Sequence, residues 1–264
     1  LPASNKAGRL PHRSAHFTLQ RDPAMLPALL NALLDIFLPP RCHICRTLIP
    51  GSGPLHICDS CYAGLPIISP PFCSICGIPL QGAGESHPCG RCITAPPPYR
   101  AARAAMRYEG SCRDLIHAFK YRGKTHLRRP LGLLTAQLLL DFRQEYQPDL
   151  LVPVPLHRSR LRSRGFNQSV LLADLLARQW QLPLQRQLLQ RVRATTPQME
   201  LSRDERLTNL QGAFKVRDST LVADLRIMLV DDVFTTGSTL AACTRALQQA
   251  GCREVTAVTV AHAP

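Results

Sequence analysis

The chain has 264 residues, 45% of them hydrophobic and 19% charged, and 32 Lys+Arg against 18 Asp+Glu give a net charge of +14. That size allows one large or two modest domains, each able to bury a core, in a soluble globular protein. Aromatic residues at 5% exclude a continuous base-stacking platform, so any nucleic-acid contact has to run mainly through phosphates. Only four of the basic residues are lysines. Arginine's planar fork suits bidentate phosphate contacts, although an arginine-rich codon bias would produce the same count.

Residues 1–24 show neither hydrophobic periodicity nor the apolar core of a secretory signal, and they read as a disordered extension. From Met25 the chain changes. Leu26, Leu29, Leu30, Leu33, Leu34, Phe37 and Leu38 recur at helical spacing until Pro39 and Pro40, which predicts an amphipathic helix over 25–40. The stripe is too short to span a bilayer, which takes about 20 apolar residues. No membrane span and a cytoplasmic location are therefore expected.

Eight of the eleven cysteines form four C-x-x-C pairs: Cys42/Cys45, Cys58/Cys61, Cys73/Cys76 and Cys89/Cys92. Two residues between thiolates let one tight turn aim both sulfurs at a single tetrahedral ion, and two such turns complete a four-cysteine zinc site. Disulfides are the other reading, but nothing points to an oxidising compartment, and a redox protein needs one such pair rather than four. A double zinc ribbon over 41–93 with two structural Zn2+ is predicted. Consecutive pairing (42/45 with 58/61, 73/76 with 89/92) and a cross-braced alternative both satisfy the spacing. His43, His56 and His87 read as bystanders, and Cys112, Cys243 and Cys252 as packing residues. Residues 94–100, with Pro96, Pro97 and Pro98, read as a stiff linker.

Residues 101–264 alternate between two kinds of pattern. DLLVPVP (149–155) is strand-like, and a helix follows over 167–180 with Asn167 as its cap. A short strand-like stretch comes near 184–192. LRIMLV (225–230) is the next strand, a helix spans 239–250 with Gly251 ending it, and VTAVTVA (255–261) is a final buried strand. Strand alternating with helix predicts an α/β fold, a parallel sheet flanked by helices. At the end of LRIMLV come Asp231 and Asp232, then Thr235, Thr236, Gly237, Ser238 and Thr239. Small polar residues opening a helix form an anion cradle, and adjacent acids suit hydroxyls or a metal. A ribose 5-phosphate with Mg2+ nearby fits both halves, whereas the plain alternative is a capped turn with two solvated acids.

An apolar strand, two acids and TTGST resemble the phosphoribosyl pyrophosphate (PRPP) motif of type I phosphoribosyltransferases. With LVPVPLHRSRLRSRGFNQ (151–168), LLQRVRATTPQ (188–198), RDERLTNLQGAF (203–214), FKYRG (119–123) and the cysteine ribbon, the chain resembles the ComF family of competence proteins. The resemblance implies a type I phosphoribosyltransferase-like domain over 101–264. In it Asp231 and Asp232 would hold ribose hydroxyls, and Thr235 to Thr239 the 5-phosphate. It also implies pyrophosphate or DNA contacts from Arg158, Arg160, Arg162 and Arg164, on one side of an extended segment, and from Lys120 and Tyr121. Arg206 and Asn209 match as loop residues. PRPP with Mg2+, single-stranded DNA and a competence helicase are the implied partners. The implied activity is either ligand binding in DNA handling or phosphoribosyl transfer to an acceptor the sequence does not name.

Overall fold

Four strands, all parallel, make the central sheet of the computed structural model, which describes residues 39–49, 53–82, 84–193, 210 and 212–263. The extension, the leucine stripe at 25–38, Arg206 and Asn209 lie outside the described residues. β1 (Ala101–Arg107), β2 (Leu150–Pro153), β5 (Arg226–Phe234) and β6 (Glu254–His262) lie in the order β1-β6-β5-β2. β5 and β6 are fully paired from Arg226↔Glu254 to Phe234↔His262. Most of their inner residues are apolar on both faces, as a sheet covered on both sides requires. Met228 and Val230 join one core, while Ile227 and Leu229 join the other.

Helices α3 (Gly110–Tyr121), α4 (Arg128–Leu138) and α5 (Leu140–Tyr146) connect β1 to β2. With α7 (Gln168–Trp180) they enclose the first core, around Phe119, Leu131, Leu134, Leu172 and Leu176. Asn167 caps α7 as expected, its Oδ1 accepting from Ser169 N at 3.0 Å while its Nδ2 donates to Val154 O at 3.0 Å. The cap thus also fixes the exit of β2. The second core lies beneath α8 (Ser238–Gln249) and a hairpin of β3 (Leu189–Arg191) with β4 (Phe214–Val216). The stretch near 184–192 therefore divides: Leu184 makes a parallel bridge to Leu151, and 189–191 belong to the hairpin. α8 runs to Gln249, and Gly251 takes the left-handed conformation (φ 90°) just past its end.

The cysteine segment is built twice. Each cysteine of the second set follows its counterpart by 31 positions: 42 to 73, 45 to 76, 58 to 89, and 61 to 92. In each copy the residue after the second cysteine is left-handed, Arg46 at φ 66° and Gly77 at φ 73°. The third cysteine in each copy caps a one-turn helix, α1 (Asp59–Ala63) or α2 (Gly90–Thr94). The copies differ in their surroundings. Arg46 is exposed, but a β-carbon on Gly77 would come within 2.7 Å of Ala102 O, because this turn backs directly onto β1. Ala102 N donates to Ile75 O at 2.7 Å, and Ile67 bridges Met106 in antiparallel register. The free edge of β1 is thereby covered, which removes a template for aberrant pairing. Arg103 of β1 reaches back to donate to Cys73 O at 3.0 Å, its guanidinium over the Phe72 ring. The chain from Arg41 onward is one compact unit. Among the described residues no helix is long and apolar enough to cross a membrane.

Candidate functional site

Strand order dictates where a ligand can bind. From β2 the chain turns outward to Leu184, whereas from β5 it turns the other way, through α8 to β6. Open α/β sheets bind ligands at such a reversal, beyond the carboxyl ends of the strands. Pairing of β2 with β5 stops at Pro153↔Val230, and β5 continues against β6 alone to Phe234. Asp231 and Asp232 thus lie inside β5, just beyond the point where its neighbour leaves, rather than after the strand's end. A cleft of about 750 Å³ opens there.

The two carboxylates have different partners. Asp231 Oδ1 accepts from Ser169 Oγ at 2.8 Å and from Asp232 N at 2.9 Å. Asp232 Oδ1 lies 2.7 Å from Lys120 Nζ, in a pair whose side chains are only 6% and 15% exposed. Burial works against the lysine's charge, but Asp232 outweighs it, and the Lys120 pKa lies above its ordinary value. Asp232 Oδ2 is buried and has no hydrogen-bond partner among the described residues, and the same holds for Gln168 Oε1, which also lines the cleft. Burying such acceptors is costly unless something donates to them.

Burial first, and then the charge of Asp232, raise the Asp231 carboxyl to about 7. The native state therefore keeps a proton that the unfolded chain releases near pH 4. Because the native state binds more protons across that window, stability falls as pH rises from about 4 to about 7. Asp231→Asn should flatten this fall, leaving the variant more stable relative to the parent at pH 8 than at pH 4. Urea midpoints that decline in parallel for both proteins would contradict the assignment.

Thr235 to Gly237 turn from β5 into α8, with Gly237 as the cap residue in the left-handed region (φ 78°), and Ser238 and Thr239 open the helix, so that 235–239 make one loop-and-first-turn segment. A β-carbon there would meet Phe234 Cζ at 2.8 Å and Tyr99 Oη at 2.9 Å. The glycine is thus required by two aromatic side chains beneath the loop. Thr236 Oγ1 and Ser238 Oγ are 2.8 Å apart. The helix dipole and the N–H groups of the first turn favour an anion at this end.

The arginine segment differs from expectation. Residues 158–164 form a helix, α6 (Arg158–Arg164), opened by His157 Nδ1 accepting from Ser159 N and closed by Gly165 in the left-handed conformation. On a helix, residues two apart point to opposite sides, so the four arginines do not share a face. Arg160 and Arg164 line the cleft, with Arg164 5.0 Å above the Tyr121 ring. Arg158 and Arg162 are exposed and absent from the cleft wall. Among the residues that line the cleft or underlie its loop, Ser169, Arg191 and Tyr99 have no site role legible in the sequence, although Arg191 lies within the 188–198 motif. Ser169 looks like ordinary first-turn helix sequence. Arg191 lies in a three-residue strand, its pKa depressed by burial and then by Arg160. Tyr99 belongs to a linker, and only the packed structure brings it beneath Gly237.

The eight cysteines gather as Cys42, Cys45, Cys58 and Cys61, and as Cys73, Cys76, Cys89 and Cys92, with all sulfurs of a set within 4.8 Å of one another. Pairing is consecutive, not cross-braced. Sulfurs about 3.8 Å apart match a tetrahedron with Zn–S near 2.3 Å. Cys45 to Cys58 is 3.6 Å, and Cys76 to Cys89 is 3.8 Å. Backbone N–H groups of Cys76 and Cys89 donate to Cys73 Sγ at 3.4 and 3.2 Å, as thiolate ligands favour. The two tetrads fit two structural zinc ions, with no sulfur position left open for catalysis.

Residues 33–93 match the double zinc ribbon domain and residues 167–264 the phosphoribosyl transferase domain. The chain is 35% identical over 145 residues to Competence protein F of Haemophilus influenzae, covering 53% of this chain and 63% of that protein, so it spans just under two thirds of that relative. It is 36% identical over 163 residues to DNA utilization protein YhgH of Salmonella typhimurium, covering 61% and 71%. It is 30% identical over 155 residues to Competence protein ComFC of Bacillus subtilis, covering 58% and 60%. A double zinc ribbon joined to a phosphoribosyltransferase-type sheet, with these relatives, places the chain in the ComF family.

Proposed function

We propose that the cleft binds a 5-phosphoribosyl ligand, PRPP with Mg2+ or a close relative of it, and that the protein serves in handling single-stranded DNA during uptake. The observation that carries the first half is Asp232 Oδ2, a buried carboxylate oxygen without a donor among the described residues, beside a segment of hydroxyls and helix N–H groups. A ribose supplies donors to the acid, while its phosphate accepts from the loop. Mg2+ would travel with the pyrophosphate, near Asp231, where it would stabilise negative charge on the leaving group if transfer occurs. The names of the relatives, two competence proteins and a DNA utilization protein, support the second half. So does charge: residues 151–217 contain twelve Lys+Arg and four Asp+Glu, an excess of the kind that draws phosphodiester chains.

Phosphorus NMR of the protein with PRPP and Mg2+ tests this reading. The 5-phosphate and pyrophosphate resonances should shift on binding, and Asp232→Asn should weaken affinity about tenfold or more through loss of a charge-assisted hydrogen bond of roughly 1.5–3 kcal/mol. A single-stranded oligonucleotide should displace the ligand where both use Arg160 and Arg164. Free pyrophosphate accumulating above the blank would establish turnover and favour a transferase with an acceptor still to be found. Unchanged PRPP resonances would refute the ligand.

A further inference from the structure

Tyr99 links two parts of the molecule that the sequence keeps far apart. It follows the three prolines that leave the cysteine segment, and it is only 4% exposed. Its ring meets Phe234 edge-on with centroids 6.5 Å apart. Its hydroxyl bounds the space at Gly237, where a β-carbon would come within 2.9 Å. Phe234 is in turn stacked on His262 at 4.7 Å. Together Tyr99 and Phe234 form the floor of the Thr235 to Thr239 loop.

The same tyrosine lies in one packed cluster with Cys73, Cys76 and Cys92 of the second tetrad and with Leu240 of α8. The backbone on either side of it is held by the fold itself, because Arg100 N donates to Val255 O at 2.8 Å and Gln248 Nε2 donates to Pro98 O at 3.0 Å. Its ring shares that cluster with Cys92 of α2, a five-residue helix capped by Cys89. A single turn has little stability of its own, so a zinc ion held by Cys73, Cys76, Cys89 and Cys92 would be what orders it. Among the described residues no cysteine of the first tetrad belongs to this cluster. That tetrad's neighbours Ile44, Leu55, Ile57 and Tyr62 pack against the opposite core, around α4 and α7.

We propose that Tyr99 is a positioning residue for the Thr235 to Thr239 loop, and that through it the order of the loop depends on metal in the second tetrad and not on metal in the first. Without that metal α2 frays, the wall behind Tyr99 is lost, and the floor under Gly237 loosens. A loop whose N–H groups must converge on an anion then binds it less well, because ordering has to be supplied on binding. The functional meaning of the coupling rests on the phosphoribosyl reading, but its existence does not.

Hydrogen exchange of the full-length protein, read on peptides covering 235–239, tests the coupling with no ligand present. Tyr99→Ala should raise exchange in that loop about tenfold while elemental analysis still finds two zinc ions per chain, and Tyr99→Phe, which keeps the ring, should stay within about twofold of the parent. Cys89→Ser should lower zinc to one per chain and loosen the loop as Tyr99→Ala does. Cys58→Ser should lose the other zinc and leave the loop at the parent rate. Exchange in β2 and α7 should be unaltered in Tyr99→Ala, which separates loop control from general destabilisation. Parent-like loop exchange in Tyr99→Ala, or loosening of β2 and α7 along with the loop, would overturn the proposal. Tyr99→Ala retains every cysteine, so it decides the matter even if Cys89→Ser fails to fold. A responsive loop in a protein that ignores PRPP would remove the phosphoribosyl reading and leave the coupling standing.

Discussion

Gly237→Val should lower the stability of the protein by about 2–5 kcal/mol and abolish binding of phosphate-bearing ligands. Two costs add. A side chain at φ 78° pays roughly 1–2 kcal/mol for the left-handed backbone, and a β-branched one more. Overpacking adds roughly 1–3 kcal/mol, because the new β-carbon would lie 2.8 Å from Phe234 and 2.9 Å from Tyr99. Both contact atoms are tips of aromatic rings that are 3% and 4% exposed, so neither can swing into solvent. Relief has to come from the loop, which would lift away from the positions where its N–H groups converge. Gly237→Ala should show most of the same loss, since the clash is with the first side-chain carbon. The check is the urea midpoint of each variant together with a PRPP titration below that midpoint. A parent-like midpoint for Gly237→Val would mean that the loop does not rest on this floor.

Lys120→Met should be as severe for a different reason. Methionine keeps an unbranched side chain, one atom shorter, and removes its charge, leaving Asp232 buried beside Asp231 without its ammonium partner. Removing one partner of a buried pair costs about 3–5 kcal/mol. The deficit should depend on pH in a definite direction. In the variant the paired acids gain protons in the native state, so its stability falls as pH rises and recovers as pH is lowered. Lys120→Met combined with Asp232→Asn should recover most of the loss at neutral pH, because no uncompensated charge is then buried. Urea denaturation of the four proteins of this cycle measures the coupling. Strictly additive losses would show that the 2.7 Å contact contributes nothing.

What could be read from the sequence is what local chemistry decides. The cysteine spacing predicted two four-sulfur sites because thiolate geometry is short-range. Asn167 and Gly251 marked helix ends through their own backbone preferences. Runs of β-branched residues found β5 and β6, which are buried on both faces. β1 was not found. Its sequence, AARAAMR, has four alanines in seven residues, a helical preference that pairing with β6 and with the ribbon overrides. Basic residues at every second position of 158–164 suggest an extended segment, but that pattern carries no information on an exposed stretch; His157 and Gly165 decide the matter as caps of a helix. For the cleft, the acids and the loop are contiguous in sequence and were legible. Ser169, Lys120 and Tyr99 reach it from separate elements, and only tertiary packing could assign their partners. The pairing of Lys120 with Asp232 turned a motif residue of unknown role into the counter-ion of the site.

The antiparallel bridge between Ile67 and Met106 bears on how the chain folds as it is made. β1 has to wait for its sheet partner: Ala101 pairs with Thr256, 155 positions later. At roughly 5–20 residues per second of synthesis, that interval lasts on the order of ten seconds or more. An unpaired strand rich in alanine is exposed to wrong partners throughout. The segment around Ile67 is already outside the ribosome when β1 emerges, and it lies only a few dozen residues away. A cysteine-rich module made before β1 therefore gives it an early neighbour on one side, and β6 closes the other.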